Sequence, residues 1–156
     1  MKKRKAWIFD VDGTLANVDS ILHHVLKKDR KAKEFKKYFD KFHIESIHVP
    51  ANKDVIDLLW EVCNDYDIIV VTARREEWRA RTAYWLVKNN VPHTALFMRG
   101  NEDDRSDYEI KKDILKHISK FWKVVHAVDD NPKIIKLWKK HGISTTKIGD
   151  WDGEYV

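Results

Sequence analysis

The apolar run Ala6-Trp7-Ile8-Phe9 breaks off into Asp10-Val11-Asp12-Gly13-Thr14-Leu15, and this junction constrains the fold more than any other stretch of the chain. A short apolar run ended by acids and a glycine reads as a buried strand that stops at a turn. Two acids spaced i, i+2 at a strand end face one pocket once the chain turns at Gly13. There the first can attack a phosphorus atom while the second handles the proton. Solvated acids on an ordinary glycine turn are the plain alternative, and the remaining strand ends weigh against it.

Apolar, β-branched runs predict five strands, at residues 5–9, 67–72, 94–98, 123–128 and, more weakly, 144–148. Helical patterns fall between the later ones, at 52–64, 75–90, 107–120 and 131–141. Leu58, Leu59, Val62 and Cys63 share a face of the first, and Ile134, Ile135, Leu137 and Trp138 a face of the last. Such alternation predicts a parallel sheet flanked by helices, with ligands at the carboxyl ends of its strands. The gap between the first two strands breaks the rhythm. Phe35, Tyr38, Phe39 and Phe42 fall there at i, i+3, i+4, i+7, so residues 19–48 are expected to form a small helical cap, with the core at 1–18 and 49–156. The ring stripe reads as the seam of that cap; base stacking by one ring is the alternative.

The formal charge of +5 is concentrated: residues 23–43 hold eight Lys or Arg against three Asp or Glu. A local cationic segment beside paired acids points to a polyanionic substrate, against the plain reading of a solvated helix face. At 156 residues the chain reads as one domain able to bury a core without disulfides. The lone Cys63 reads as an inert helix thiol and permits no thiolate metal cluster, in keeping with a reducing cytoplasm. No apolar stretch approaches membrane-spanning length, and the basic Met1–Lys5 is followed by too few apolar residues for a secretory core.

Every strand except the weak last one ends in groups suited to a phosphate or a divalent cation. These are Asp10 and Asp12, then Thr72-Ala73-Arg74, then Arg99-Gly100, then Asp129-Asp130. On these residues, with Lys111, the chain resembles the haloacid dehalogenase-like (HAD) superfamily. Within it the likeness is to the 3′-phosphatase domain of phage-type polynucleotide kinase-phosphatases. That narrower likeness lies in Val71 to Arg74, Arg81-Thr82 with Trp85, Met98-Arg99, Asp103 to Lys111, Asp129 to Asn131 and Leu137-Trp138; it is weak from 17 to 48. The resemblance implies an α/β, three-layer Rossmann-like fold: a central five-stranded parallel sheet with a small helical cap inserted after the first strand.

It also implies roles. Asp10 is the nucleophile and Asp12 the general acid and base, with Thr72 and Lys111 at the transferring phosphoryl group. Mg²⁺ would be held by Asp10, Asp129, the Asp12 backbone carbonyl and Asp130, the last directly, through water, or by orienting Lys111 instead. Arg74 and Arg99 are substrate-side candidates, with Gly13 and Thr14 beside the phosphate. Lys111 rather than Lys112 keeps the relatives' spacing. Asp107 matches an acid near the relatives' site but equally suits a helix N-cap, the reading preferred here. His23-His24 is a weak metal pair, and His126, Trp122 and Trp138 read as core. There is no nucleophile-elbow serine and no P-loop, so a 5′-kinase or ligase is expected to be a separate polypeptide. The expected function is removal of 3′-phosphates from DNA or RNA ends. A nucleotidase or general phosphomonoesterase, or a nucleic-acid-binding module without activity, are the alternatives.

Overall fold

A computed structural model describes residues 2–24 and 40–152. Five strands form one sheet: β1 (Arg4–Phe9), β2 (Asp67–Arg75), β3 (Ala95–Arg99), β4 (Trp122–Asp129) and β5 (Ser144–Lys147). Their order is β3-β2-β1-β4-β5 and every neighbouring pair is parallel. The chain steps outward from β1 to β3, returns to β4 on the other side of β1, and continues to β5. This reversal opens a crevice at the carboxyl ends of β1 and β4, where Asp10 and Asp129 stand.

Helices α1 (Lys53–Val62) and α2 (Arg79–Lys88) cover one face, α3 (Asp107–Ile118) and α4 (Pro132–Lys140) the other. Strand side chains alternate between the two layers. Phe9, Ile68, Val70 and Val128 meet Val55, Leu59, Trp85 and Leu86. Ala6, Ile8, Ile69, Val71 and Ala127 meet Leu115, Ile118, Ile134, Leu137 and Trp138. Burial on both faces explains why these strands read as continuous apolar runs. Each fully buried aliphatic or aromatic side chain contributes about 1.5–3 kcal/mol. The rim pair Arg4–Asp67, with its arginine 79% exposed, adds about 1 kcal/mol at most, so packing fixes the layers.

Two boundaries differ from the sequence reading. The second strand runs on through Arg75 because, after a bulge, Arg75 pairs in register with Arg99; a 3-10 turn at Glu76–Trp78 then precedes α2. The α3 cap is Ser106, whose side chain accepts from the Glu109 N–H at 3.3 Å, and not Asp107. The Asp107 carboxylate turns to Arg99 instead, a pairing that offers more than a cap bond to a half-exposed acid. Asn131 caps α4 over Pro132.

Between β1 and α1, residues 40–45 are helical and lead into a 3-10 turn at Ser46–His48. Phe42 is buried with Val18, Ile21 and Val49 against Phe9 and Leu15. Phe35, Tyr38, Phe39, the His23-His24 side chains and most of the 23–43 basic segment lie outside the described residues. Trp138 is fully buried, while Trp122 is half-buried and donates to Asp67 at 2.8 Å. His126 is also half-buried, pairing with Thr146 Oγ1 at 2.7 Å against the Trp7 ring. Half-buried Cys63 ends α1. No helix among the described residues is long and apolar enough to cross a membrane.

Candidate active site

The loop after β1 builds the floor. Gly13 takes φ +81°, and its N–H reaches the Ala16 carbonyl at 2.9 Å while Thr14 and Ala16 fold back onto the Val11 carbonyl. A Cβ at Gly13 would run into the Asp130 carboxylate, so glycine is needed here for space as well as for φ. The tight turn sets Asp10 and Asp12 on one side of the crevice. Thr14, fully buried, donates its hydroxyl to Asp10 Oδ2 at 2.9 Å; it holds the carboxylate from behind rather than facing the open pocket.

Lys111 enters from the first turns of α3 and is buried between two acids, 2.9 Å from Asp10 Oδ1 and 2.8 Å from Asp129 Oδ2. Its neighbour Lys112 points to solvent. Desolvation works against the Lys111 charge, but Asp10 and Asp129 overcome it and hold the ammonium well above its ordinary range. Asp130 does not orient this lysine; it lies against Asp10. Carboxylate oxygens of Asp10, Asp129 and Asp130 come within 4.8 Å of one another. Burial, then the neighbouring acids, push Asp10 up to about 7 and Asp130 up to about 10. This crowd of like charge is what a hard divalent cation with oxygen ligands would relieve, and the donor set fits Mg²⁺.

Asp12 is claimed by Arg74. Nε donates to Oδ2 at 2.9 Å, Nη2 bonds Oδ1, and Nη1 is braced by Thr82 Oγ1 at 3.0 Å. Burial pushes the Asp12 carboxyl up, yet the guanidinium prevails and keeps it below its ordinary range. Three donors of Arg74 are thus engaged, which leaves two N–H for a ligand. Arg99 is more fully occupied. Nε goes to the Ala73 carbonyl at 2.8 Å, Nη1 to the carbonyls of Asp103 and Arg105, and Nη2 to Asp107 at 2.6 Å. One N–H remains, so Arg99 is chiefly a brace for the loop that leads into α3. Thr72 is buried at the end of the apolar part of β2, its Oγ1 accepting the Arg74 N–H at 3.2 Å with the hydroxyl hydrogen left to donate.

Above this floor opens a cavity of about 730 Å³. Its walls include Asn131 and residues that the sequence reading passed over: His43, Arg75, Trp78 and Trp151. His43 is packed between Phe42 and Trp78, with ring centroids 5.4 Å from each. Burial first, then the Arg74 and Arg75 charges, depress its pKa to about 4 although Asp12 opposes them. Nothing local marks His43, because apart from Phe42 the groups around it, Asp12, Arg74, Arg75 and Trp78, lie far along the chain. Arg75 was detectable in principle, since an arginine prolonging a strand beside Arg74 must leave at the same end.

A family of phosphatase domains described as the polynucleotide kinase PNKP phosphatase domain matches residues 4–152. Among solved structures, a chain of a Pnkp1/Rnl/Hen1 complex superposes with TM-score 0.76 at 22% identity, over 96% of this chain and 48% of that one. A haloacid dehalogenase-like family hydrolase from Streptococcus pneumoniae gives 0.68 at 14% identity, over 91% and 83%. The HAD-hydrolase YfnB from Bacillus subtilis, solved with magnesium, gives 0.64 at 12% identity, over 99% and 93%. At such identities the likeness shows the fold, and this chain spans about half the length of the Pnkp1 chain. With the acid-bearing strand ends and the fold in agreement over nearly the whole length, the chain belongs to the polynucleotide kinase PNKP phosphatase domain family, within the haloacid dehalogenase-like fold.

Proposed function

We propose that this chain is a Mg²⁺-dependent phosphatase that removes 3′-phosphates from DNA or RNA ends through an aspartyl-phosphate. The observation that carries this is the state of Asp10: buried at the cavity floor, fixed by Thr14 and Lys111, with Asp12 beside it and Asp129 and Asp130 in reach. Asp10, Asp129 and Asp130 would hold the cation, with the Asp12 carbonyl as a further ligand; when bound it supplies charge neutralisation for an anionic substrate. In the first step an Asp10 oxygen forms a bond to phosphorus while the bond from phosphorus to the sugar oxygen breaks. Asp12, in its acid form, gives that oxygen a proton and becomes the carboxylate that Arg74 holds. In the second step a water oxygen bonds to phosphorus as the bond from phosphorus to Asp10 breaks, which releases inorganic phosphate and restores Asp10, and Asp12, by then the carboxylate that Arg74 holds, takes the water's proton. Thr72, Lys111 and the two remaining Arg74 N–H groups meet the phosphoryl oxygens beside the Gly13 turn.

A solved relative belongs to an assembly described as an RNA repair complex. That supports a place in nucleic-acid end repair, with a separate kinase or ligase completing the work. In this reading residues 19–48 are the small cap. The test compares phosphate release from a 3′-phosphorylated oligonucleotide, a 5′-phosphorylated one and a mononucleotide. The 3′-phosphorylated oligonucleotide should be hydrolysed fastest; faster hydrolysis of the mononucleotide overturns the polymer reading.

A further inference from the structure

A second groove, of about 1060 Å³, lies at the opposite edge of the sheet, where β1 and β4 begin and α3 ends. Lys2, Lys3, Lys5, Lys112, Lys116 and Lys123 line it, and all six are exposed. Lys3 Nζ donates to the Ser119 carbonyl at 2.6 Å, but among the described residues none of the six forms an ion pair with an acid. The contrast with the surface arginines is direct: Arg4 holds Asp67, Arg75 holds Asp104, and Arg79 holds Glu76. Asp113, the acid that lines the groove, is itself taken by Arg105 at 2.7 Å. Six like charges around one concavity repel each other and focus a positive potential into it.

We propose that this groove is a second binding site for a nucleic-acid backbone, gripping the strand some distance from its end. The proposal rests on the reading that the end itself enters the Asp10 cavity. The geometry links the two places. Lys5 and Asp10 lie five residue steps apart along β1 and its end, about 17 Å along a strand, which equals about five steps of a duplex. Helix α3 provides the path: Lys111 faces the cavity, Lys112 follows it outward, and Lys116 lies one turn further toward Lys123. The lining suits phosphates better than a protein partner. Protein interfaces centre on aromatic or arginine anchors, whereas the aromatic ring here, Trp122, is already bonded to Asp67 and packed on Phe97.

The test uses a Lys116→Glu/Lys123→Glu variant, with Lys53→Glu/Lys88→Glu on the other face of the sheet as a control of equal charge. Fluorescence anisotropy reads the binding of an unphosphorylated 20-mer and of a trinucleotide over a salt series, without divalent cation. Circular dichroism checks that both variants are folded. The groove variant should bind the 20-mer about tenfold more weakly and flatten the log–log salt slope by about two. Its trinucleotide binding and its hydrolysis of a small chromogenic ester should match the wild type. Equal losses in the control variant, or an unchanged 20-mer slope, overturn the proposal; an acidic protein partner at this groove would give the unchanged slope. Failure of the wild type to release phosphate from any ester would overturn the phosphatase reading alone, since the binding measurement does not depend on turnover.

Discussion

The two edges of one sheet handle charge in opposite ways. At the carboxyl edge three cations are buried and bound: Lys111 by Asp10 and Asp129, Arg74 by Asp12, Arg99 by Asp107. At the amino edge the lysines around Lys116 stand in solvent without acids. Burial is the reason. A charge taken out of water loses several kcal/mol of solvation and persists only beside a counter-charge, while an exposed ammonium keeps its water and needs none. Each edge therefore suits a different task. Buried pairs are fixed in place and little affected by salt, as bond-making requires. Exposed charges act over about 8 Å at physiological ionic strength, as capture of a polyanion requires.

Four experiments test this contrast. The largest effect belongs to Asp10→Asn, which should lower phosphate release by about 10⁴-fold or more while leaving 20-mer binding unchanged. A variant keeping a tenth of the wild-type rate would show that the chemistry is not at this edge. Lys111→Met should come next. It leaves the carboxylates of Asp10 and Asp129 buried without their cation, a loss of about 3–5 kcal/mol in urea unfolding. Mg²⁺ should restore stability in this variant by more than it adds to the wild type, because it would bind the folded acids. Equal gains in both proteins would argue against a cation among those acids.

Arg74→Lys should cost less, about 10- to 100-fold in kcat, since an ammonium cannot hold both oxygens of Asp12. A rise in KM at constant kcat would mean that Arg74 serves the substrate and not Asp12. The smallest effect concerns His43. The unfolded chain takes up a proton near pH 6.5, whereas folded His43 stays neutral down to about 4. Wild-type stability should therefore fall as pH drops from 6.5 toward 4, and His43→Gln should reduce that fall by about 1–2 kcal/mol. An identical pH dependence in the variant would show that His43 is not the buried neutral group described.

Much of the fold was legible because its signals are local. The apolar runs ahead of Asp10, Thr72 and Asp129 mark strands with both faces covered, and Ile134, Leu137 and Trp138 mark a helix face by spacing alone. The ends of β2 and α3 were less legible. Arg75 extends its strand by pairing with Arg99, and Asp107 gives up a cap position for the same arginine, and neither event has a signature within its own window. His43 and Trp78 went unnoticed because their contact joins segments from opposite sides of β2.

Residue order by itself determined that acids and polar groups would follow the apolar strands, and that Gly13 would turn the chain at the first of them. Continuous apolar runs that stop at acids, and a glycine able to take a positive φ, leave few other solutions. Which charges would meet was decided only by the tertiary structure. Lys111 lies 101 residues from Asp10, and Arg74 lies 62 from Asp12. Strand order carries them into one crevice, and once there, the cost of burying a charge alone makes each take the counter-charge within reach.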